Sequence, residues 1–324
     1  MTRTGYRIRN RIRKKVLRAL TKWERKKLAR KPRQPEILQR IKGDVGPESR
    51  RNLCVFVHFD RQGMMDDYVV HYVKSLFDND FEILMVSTAP SIGADELEKV
   101  RPYCREIIVR ENIGHDFGSW KVGLEEIAAL SKYDRLLIAN DSVYGPFHNL
   151  SNLFSEMAAK NLDVWGIADS IQLDYHIQSY FMVFEKPVLE SRVFQQFWHT
   201  LPYFYRKRVI IWDCEVGLSQ RLLHSGFALG ALCEYEHLLS EQPDAVQAAV
   251  SRGGLLGGPA NMNNNLWKVL LEQYRCPFLK IELLRDNPKN LTDLYQWRSV
   301  LRQSSSYDCD LIRRHLTRMN FPES

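Results

Sequence analysis

Short apolar runs of strand type, alternating with stretches of helical periodicity, limit what this chain can fold into more than any other feature. Residues 53–59, 81–87, 105–110, 136–140 and 164–168 are rich in β-formers and bounded by polar residues. Between them, residues 65–77, 95–100, 119–131 and 150–160 carry apolar side chains at helical spacing. A strand covered on both faces reads as a continuous apolar run. The alternation therefore predicts an α/β fold with a mostly parallel sheet and helices on both faces. In such sheets ligands bind outside the carboxyl ends of the strands. The run Leu136-Leu137-Ile138-Ala139 stops abruptly in Asn140-Asp141-Ser142 at one of those ends. A carboxylate flanked by an amide and a hydroxyl there can hold a hard metal ion or a sugar hydroxyl. The same three residue types also simply turn a chain.

With 44% apolar residues among 324, a sizeable core is available. The six cysteines are scattered, with no C-x-x-C pair and no nearby His, which argues against zinc and for reduced thiols in a cytosolic protein. The first thirty residues have no secretory h-region, and no apolar run reaches membrane-spanning length.

The charge is unevenly placed. Residues 1–33 hold 15 Lys or Arg against one acid, Glu24, a net of +14 in a chain of net +7, so the remainder is net −7. Ile8, Ile12, Val16, Leu20 and Trp23, with Leu17 beside them, fall near one helical stripe. A basic amphipathic helix with an interfacial Trp reads first as an anchor on an anionic membrane surface. A helix docked on its own domain is the second reading. Nucleic-acid binding, which has less use for the apolar stripe, is the third. Pro32 and Pro35 break the pattern, and Gly43, Gly46 and Pro47 mark a linker closing an arm of residues 1–48. A globular domain over residues 50–300 and a C-terminal helical tail over 301–324 follow.

Four further segments can carry chemistry. In Asn112-Ile113-Gly114-His115-Asp116-Phe117-Gly118, the glycines allow close backbone approach, and the helix start after Gly118 can receive a phosphate. There His115 can face a diphosphate and Asp116 can accept from a sugar, or cap the helix. His176, Gln178 and Ser179 stand at a strand entrance and can line an acceptor pocket or a surface edge. Asp213 and Glu215 open a helical stripe. Two residues apart, they do not share a face, so one can cap while the other acts as a general base. Asn263-Asn264-Asn265 suggest a polar pocket or an N-cap. Lys280 and Arg285 are candidates for a phosphate clamp or for ordinary salt bridges at a helix end.

The segments ENIGHDFGSWKVGL, LLIANDSVYGP, EVGLSQRLLHSGF and NNNLWKVLLEQYRCPFLKIELLRDNP, in this order, resemble the rhamnan synthesis protein F family. The similarity extends over residues 53–294. That family comprises bacterial glycosyltransferases of polysaccharide and lipopolysaccharide assembly and is similar to the GT-A class, a nucleotide-sugar-binding α/β domain. The resemblance implies that Asn140-Asp141-Ser142 takes the place of the metal- and diphosphate-binding acid motif. Asp141 would be the metal-binding carboxylate, for Mg²⁺ or Mn²⁺, although Asn140 replaces the usual second acid. His58 and Asp60 would lie near the nucleotide base, with residues 112–118 beside the donor. Glu215, or Asp213, would be the base of an inverting enzyme. Members often carry a His in the stretch just before the Leu-Trp of the last segment. Here Asn264 and Asn265 stand instead, so no role for that His carries over.

The resemblance thus implies transfer of rhamnose or another deoxyhexose from a nucleotide-diphosphate donor such as dTDP-rhamnose. The acceptor would be a lipid-linked glycan on the cytoplasmic face of the bacterial plasma membrane, with the enzyme held there by residues 1–33 and no nucleic-acid partner. The rivals are a catalytically inactive sugar-nucleotide-binding scaffold, a nucleic-acid-associated protein and a transferase that retains anomeric configuration.

Overall fold

The structure, a computed structural model, describes residues 3–252 and 259–321. Eleven strands are present among them: β1 Ile37–Lys42, β2 Asn52–His58, β3 Phe81–Ser87, β4 Cys104–Arg110, β5 Arg135–Asn140, β6 Val143–Tyr144, β7 Val164–Ser170, β8 His176–Ile177, β9 Phe181–Glu185, β10 Leu229–Cys233 and β11 Leu279–Lys280. Nine form one sheet in the order β1-β4-β3-β2-β5-β9-β7-β10, with β8 paired to β7. β4, β3, β2 and β5 run parallel, as do β7 and β10. β9 enters antiparallel between β5 and β7. The expected mostly parallel sheet is therefore present. Its continuous apolar strands arise because alternate side chains serve different faces. Leu53, Val55 and Val57 of β2 pack with Phe117 and Trp120 on one face, while Cys54 and Phe56 pack with Tyr68 and Tyr72 on the other.

From β2 the chain builds outward through β3 to β4, then returns to place β5 on the other side of β2. That reversal is a topological switch point, and it leaves a crevice at the carboxyl ends of β2 and β5.

Several boundaries differ from expectation. The presumed linker contains β1, an antiparallel edge strand whose Ile41 pairs with Ile107. Its half-exposed residues, Ile-Leu-Gln-Arg-Ile-Lys, are what an edge tolerates. The helix expected from residue 119 begins at His115, because Gly114 turns the chain with φ +83° immediately before it. Gly118 is therefore helical rather than part of the loop. Residues 301–321 of the expected C-terminal tail are not an appendage: Leu301, Ile312 and Leu316 share the core cluster of Phe56. Residues 322–324, and 1–2 of the arm, lie outside the described residues.

Helix α1, Arg3–Arg30, lies against the domain. Its apolar residues divide. Leu17 packs with Leu173 and Val216, while Leu20 and Leu28 pack on the Trp120 face of the sheet. Ile8, Ile12, Val16 and Trp23 stay exposed. Glu24, the lone acid of residues 1–33, is buried and accepts from the N–H groups of Tyr205 (2.6 Å) and Arg206 (3.3 Å). Lys14 and Arg25 pair with Asp174 and Asp213, both at 2.5 Å.

Candidate functional site

A cavity of about 780 Å³ opens at the switch point, within the range of small-ligand sites. Of the residues singled out from sequence, His58, Asp60, His115, Asp116, Asn140, Asp141, Ser142, Gln178, Ser179, Glu215, Lys280 and Arg285 line it. Asn112, Gly114, Gly118, His176 and Asp213 do not.

β5 places its polar terminus in this cavity because its pairing with β9 ends at Ala139 with Phe181 and its pairing with β2 at Asn140 with Val57, which leaves Asp141 and Ser142 beyond the strand. Asp141 Oδ2 accepts from the Phe59 N–H at 2.8 Å and lies 4.0 Å from His58 Nε2. Burial pushes the Asp141 carboxyl up to about 8, and the nearby Asp116 charge pushes the same way. Asp116 is also raised by burial, against the donation it accepts from Asn140 Nδ2 at 2.8 Å. Asn140 Oδ1 in turn accepts from Ser142 N–H and Oγ–H. Two mutually repelling carboxylates thus face one space.

Lys280 reaches this place through pairing that is remote in sequence. β11 pairs antiparallel with β6, setting Lys280 opposite Val143. Its Nζ lies 3.3 Å from Ser142 Oγ and 4.0 Å from the Tyr180 ring centroid. Burial lowers the ammonium to about 8, although Glu215 and Asp116 favour its charge. Arg285, by contrast, is held by Asp286 at 2.7 Å.

Glu215 sits on a π-helical turn, Ile210–Val216, a rare geometry frequent at functional sites. Its Oε1 accepts from Ser179 N–H (2.8 Å) and Oγ–H (3.1 Å). Asp213, two residues earlier, faces Arg25 and Arg221 instead. Gln178 accepts from Asn263 Nδ2 at 2.6 Å, and Tyr180 donates to Asn263 Oδ1 at 3.3 Å. Asn263 of the asparagine run therefore stands behind the site, bonded to both Gln178 and Tyr180.

The nitrogens of His58 face Ser87 Oγ (2.9 Å) and the Met64 carbonyl (3.1 Å), and burial depresses the ring to about 4, leaving it neutral. Burial alone would raise Asp60, yet Arg318 (2.6 Å) and the N–H groups of Met64 and Gln62 hold it down. Both residues fasten the cavity rim. His176 is buried, with Nδ1 on the Asp174 carbonyl at 2.8 Å. At Gly118 a Cβ would lie 2.6 Å from the Ile113 carbonyl oxygen, and at Gly114 one would lie 3.0 Å from Tyr203. The left-handed backbone at Gly114 and close packing at Gly118 call for glycine at these positions. Asn112 is exposed.

Sequence reasoning missed three participants. Fully buried Arg110 donates to the carbonyls of Ile113 (2.7 Å) and His115 (3.0 Å) and to Ser119 Oγ (2.7 Å), fixing the loop that presents Asp116. Tyr68 donates to the Asp141 carbonyl at 3.2 Å. The helix Asp310–Arg318 closes the rim with His315 and Arg318. The dense charge of its RRHLTR segment was the one available signal.

Among the described residues, no group of three or more His, Cys, Asp or Glu side chains could hold a metal ion. Asp141, with Asp116 beside it, suits a divalent ion only in the mode where a substrate's phosphates complete the coordination.

Fold and site together define an α/β protein with a charged ligand cavity at its sheet's switch point. The chain belongs to the rhamnan synthesis protein F family, whose sequence model it matches over residues 83–324. Virulence protein VirA of Vibrio anguillarum is 28% identical over 287 residues, spanning 83% of this chain and 92% of that protein. The uncharacterized protein y4gN of Sinorhizobium fredii is 24% identical over 193 residues, 58% of this chain and 50% of that one. A solved structure, A197 from STIV, overlaps 43% of this chain and 67% of its own at 13% identity with a TM-score of 0.25, too little to bear on the fold.

Proposed function

We propose that the protein is a GT-A-type glycosyltransferase of polysaccharide synthesis, moving a sugar, rhamnose or another deoxyhexose, from a nucleotide-diphosphate donor such as dTDP-rhamnose to a lipid-linked glycan. The family supports the pathway. One observation carries the chemistry: Asp141, Asp116, Lys280 and Glu215 line one cavity although they come from four distant segments.

In this reading the donor's diphosphate lies by Lys280 and Arg285, whose positive charges meet the negative charge that develops as it leaves. The acceptor hydroxyl oxygen attacks the anomeric carbon as the bond from that carbon to the phosphate oxygen breaks. The hydroxyl proton passes to Glu215, oriented by Ser179, and the electron pair leaves with the nucleoside diphosphate. Glu215 rather than Asp213 takes the role, because Asp213 is engaged by Arg25 outside the cavity. A bound Mg²⁺ or Mn²⁺ would be held by Asp141 and the donor phosphates and would add Lewis-acid stabilisation of the leaving group.

The test is a panel of nucleotide sugars read by thermal shift with and without Mn²⁺, followed by transfer assays on the stabilising donor. Glu215→Gln is expected to keep donor binding and lose transfer by about 10³-fold, while Asp213→Asn loses less than about tenfold. Equal losses in the two variants would refute the assignment. A wild type that binds donor and never transfers would establish the scaffold role instead. The anomeric configuration of the product decides between inversion and retention.

A further inference from the structure

The docked face of α1 leaves a second, largely exposed face, on which Trp23 carries the Arg206 guanidinium 4.5 Å from its ring centroid. Asn10, Leu17, Thr21, Glu24 and Leu28 recur at helical spacing and turn into the domain, with Leu17 5% exposed. On the opposite side, Ile8, Ile12, Val16 and Trp23 are 56%, 56%, 52% and 50% exposed. Together with Ala19 they form one stripe along the helix. Exposed Lys15, Lys22 and Lys26 run beside this stripe, with exposed Lys27 at its other flank. At about 1.5 Å per residue, Ile8 to Trp23 extends over roughly 22 Å.

Four large apolar side chains held in water on one helix, amid basic residues, need an occupant that is apolar within and negatively charged at its surface. We propose that this outer face of α1 docks the protein on an anionic lipid bilayer, with Ile8, Ile12, Val16 and Trp23 entering the headgroup boundary and the flanking lysines meeting lipid phosphates. Charge complementarity selects this occupant over a second copy, since two copies would bring together segments 1–33 that each carry a net of +14. The apolar stripe selects it over nucleic acid, which contacts chiefly through charge. No described helix is long and apolar enough to cross a membrane, so the contact is lateral. The docking has a consequence for orientation. Glu24 of the same helix accepts from Tyr205 and Arg206, and the segment that follows supplies Lys207, Ile210 and Ile211 to the cavity. The helix therefore fixes how the cavity stands relative to the bilayer, whatever that cavity binds.

The test is flotation of the full chain with phosphatidylcholine vesicles, with and without phosphatidylglycerol. Expected is binding to the anionic vesicles only, weakened by salt. The variant Ile8→Ser/Ile12→Ser/Val16→Ser is expected to lose about tenfold or more in vesicle affinity. Lys15→Glu/Lys22→Glu/Lys26→Glu is expected to lose a similar factor. Both should melt at the wild-type temperature, because these side chains face away from the domain. Wild-type vesicle affinity in the serine variant would overturn the proposal, as would a lowered melting temperature, which would mean that the stripe packs internally. Equal binding to both vesicle types, a dimer abolished by the serine substitutions, or RNA displacing the vesicles would each overturn it too. None of these outcomes depends on donor binding, so the proposed transferase activity stands or falls separately.

Discussion

Asp141→Asn should make the protein more stable while disabling it, and the gain should grow with pH. The native carboxyl is raised from 3.8 to about 8. Between those values the folded state keeps a proton that the unfolded state has lost, so the wild type loses stability as pH rises. Below about pH 4 both states are protonated and the term vanishes. Four pH units at about 1.4 kcal/mol each set a ceiling of about 5–6 kcal/mol above pH 8. The side chain is 15% exposed within an open cavity, and water relaxes part of this penalty. About half, some 2–3 kcal/mol, is therefore expected. In a chain of this size that is a rise of about 5 °C in the melting temperature. Asparagine keeps an oxygen for the Phe59 N–H but carries no charge to desolvate. Urea unfolding of both proteins at several pH values between about 4 and 8.5 measures the difference, with other titrating groups cancelling between them. A difference that is flat with pH, or a wild type that gains over the variant as pH rises, would refute the reasoning. The variant is expected to lose donor-dependent turnover, since a destabilised charged group at a ligand site is a common exchange of stability for function.

Three other expectations follow from the same geometry. Lys280→Met should weaken nucleoside diphosphate binding by at least about tenfold while affecting the bare nucleoside far less, as calorimetry can show. In the wild type the same binding should fall as pH rises through about 8, where free Lys280 loses its proton and Asp141 gains charge, and Lys280→Arg should move that limit upward. Arg110→Met should cost about 2–5 kcal/mol in denaturant unfolding, because two buried carbonyls and Ser119 lose their donor. It should also weaken donor binding through the released Asp116 loop, and an unchanged midpoint would contradict the role given to this arginine.

The amino-acid sequence by itself determined the strands β2, β3, β5 and β7, their covering helices and the polar stop at Asn140-Asp141-Ser142, because burial on two faces writes a local apolar pattern. The quoted segments were also enough to indicate the family that the match over residues 83–324 establishes. Short or edge strands escaped: β1 and β11 have too few buried residues to show a period. Only the tertiary structure decided which polar residues meet. Lys280 stands beside Ser142 through pairing across 138 positions, and Arg318 reaches Asp60 across 258. Asp213 and Glu215 were indistinguishable as neighbouring acids, and the packing of α1 draws Asp213 out to Arg25. The stripe of α1 was legible as a period, but a period does not say which face a neighbouring domain will cover. Helical and strand repeats are set by backbone geometry within a few residues. Contacts between distant segments depend on how whole faces pack, and no short window of sequence holds that information.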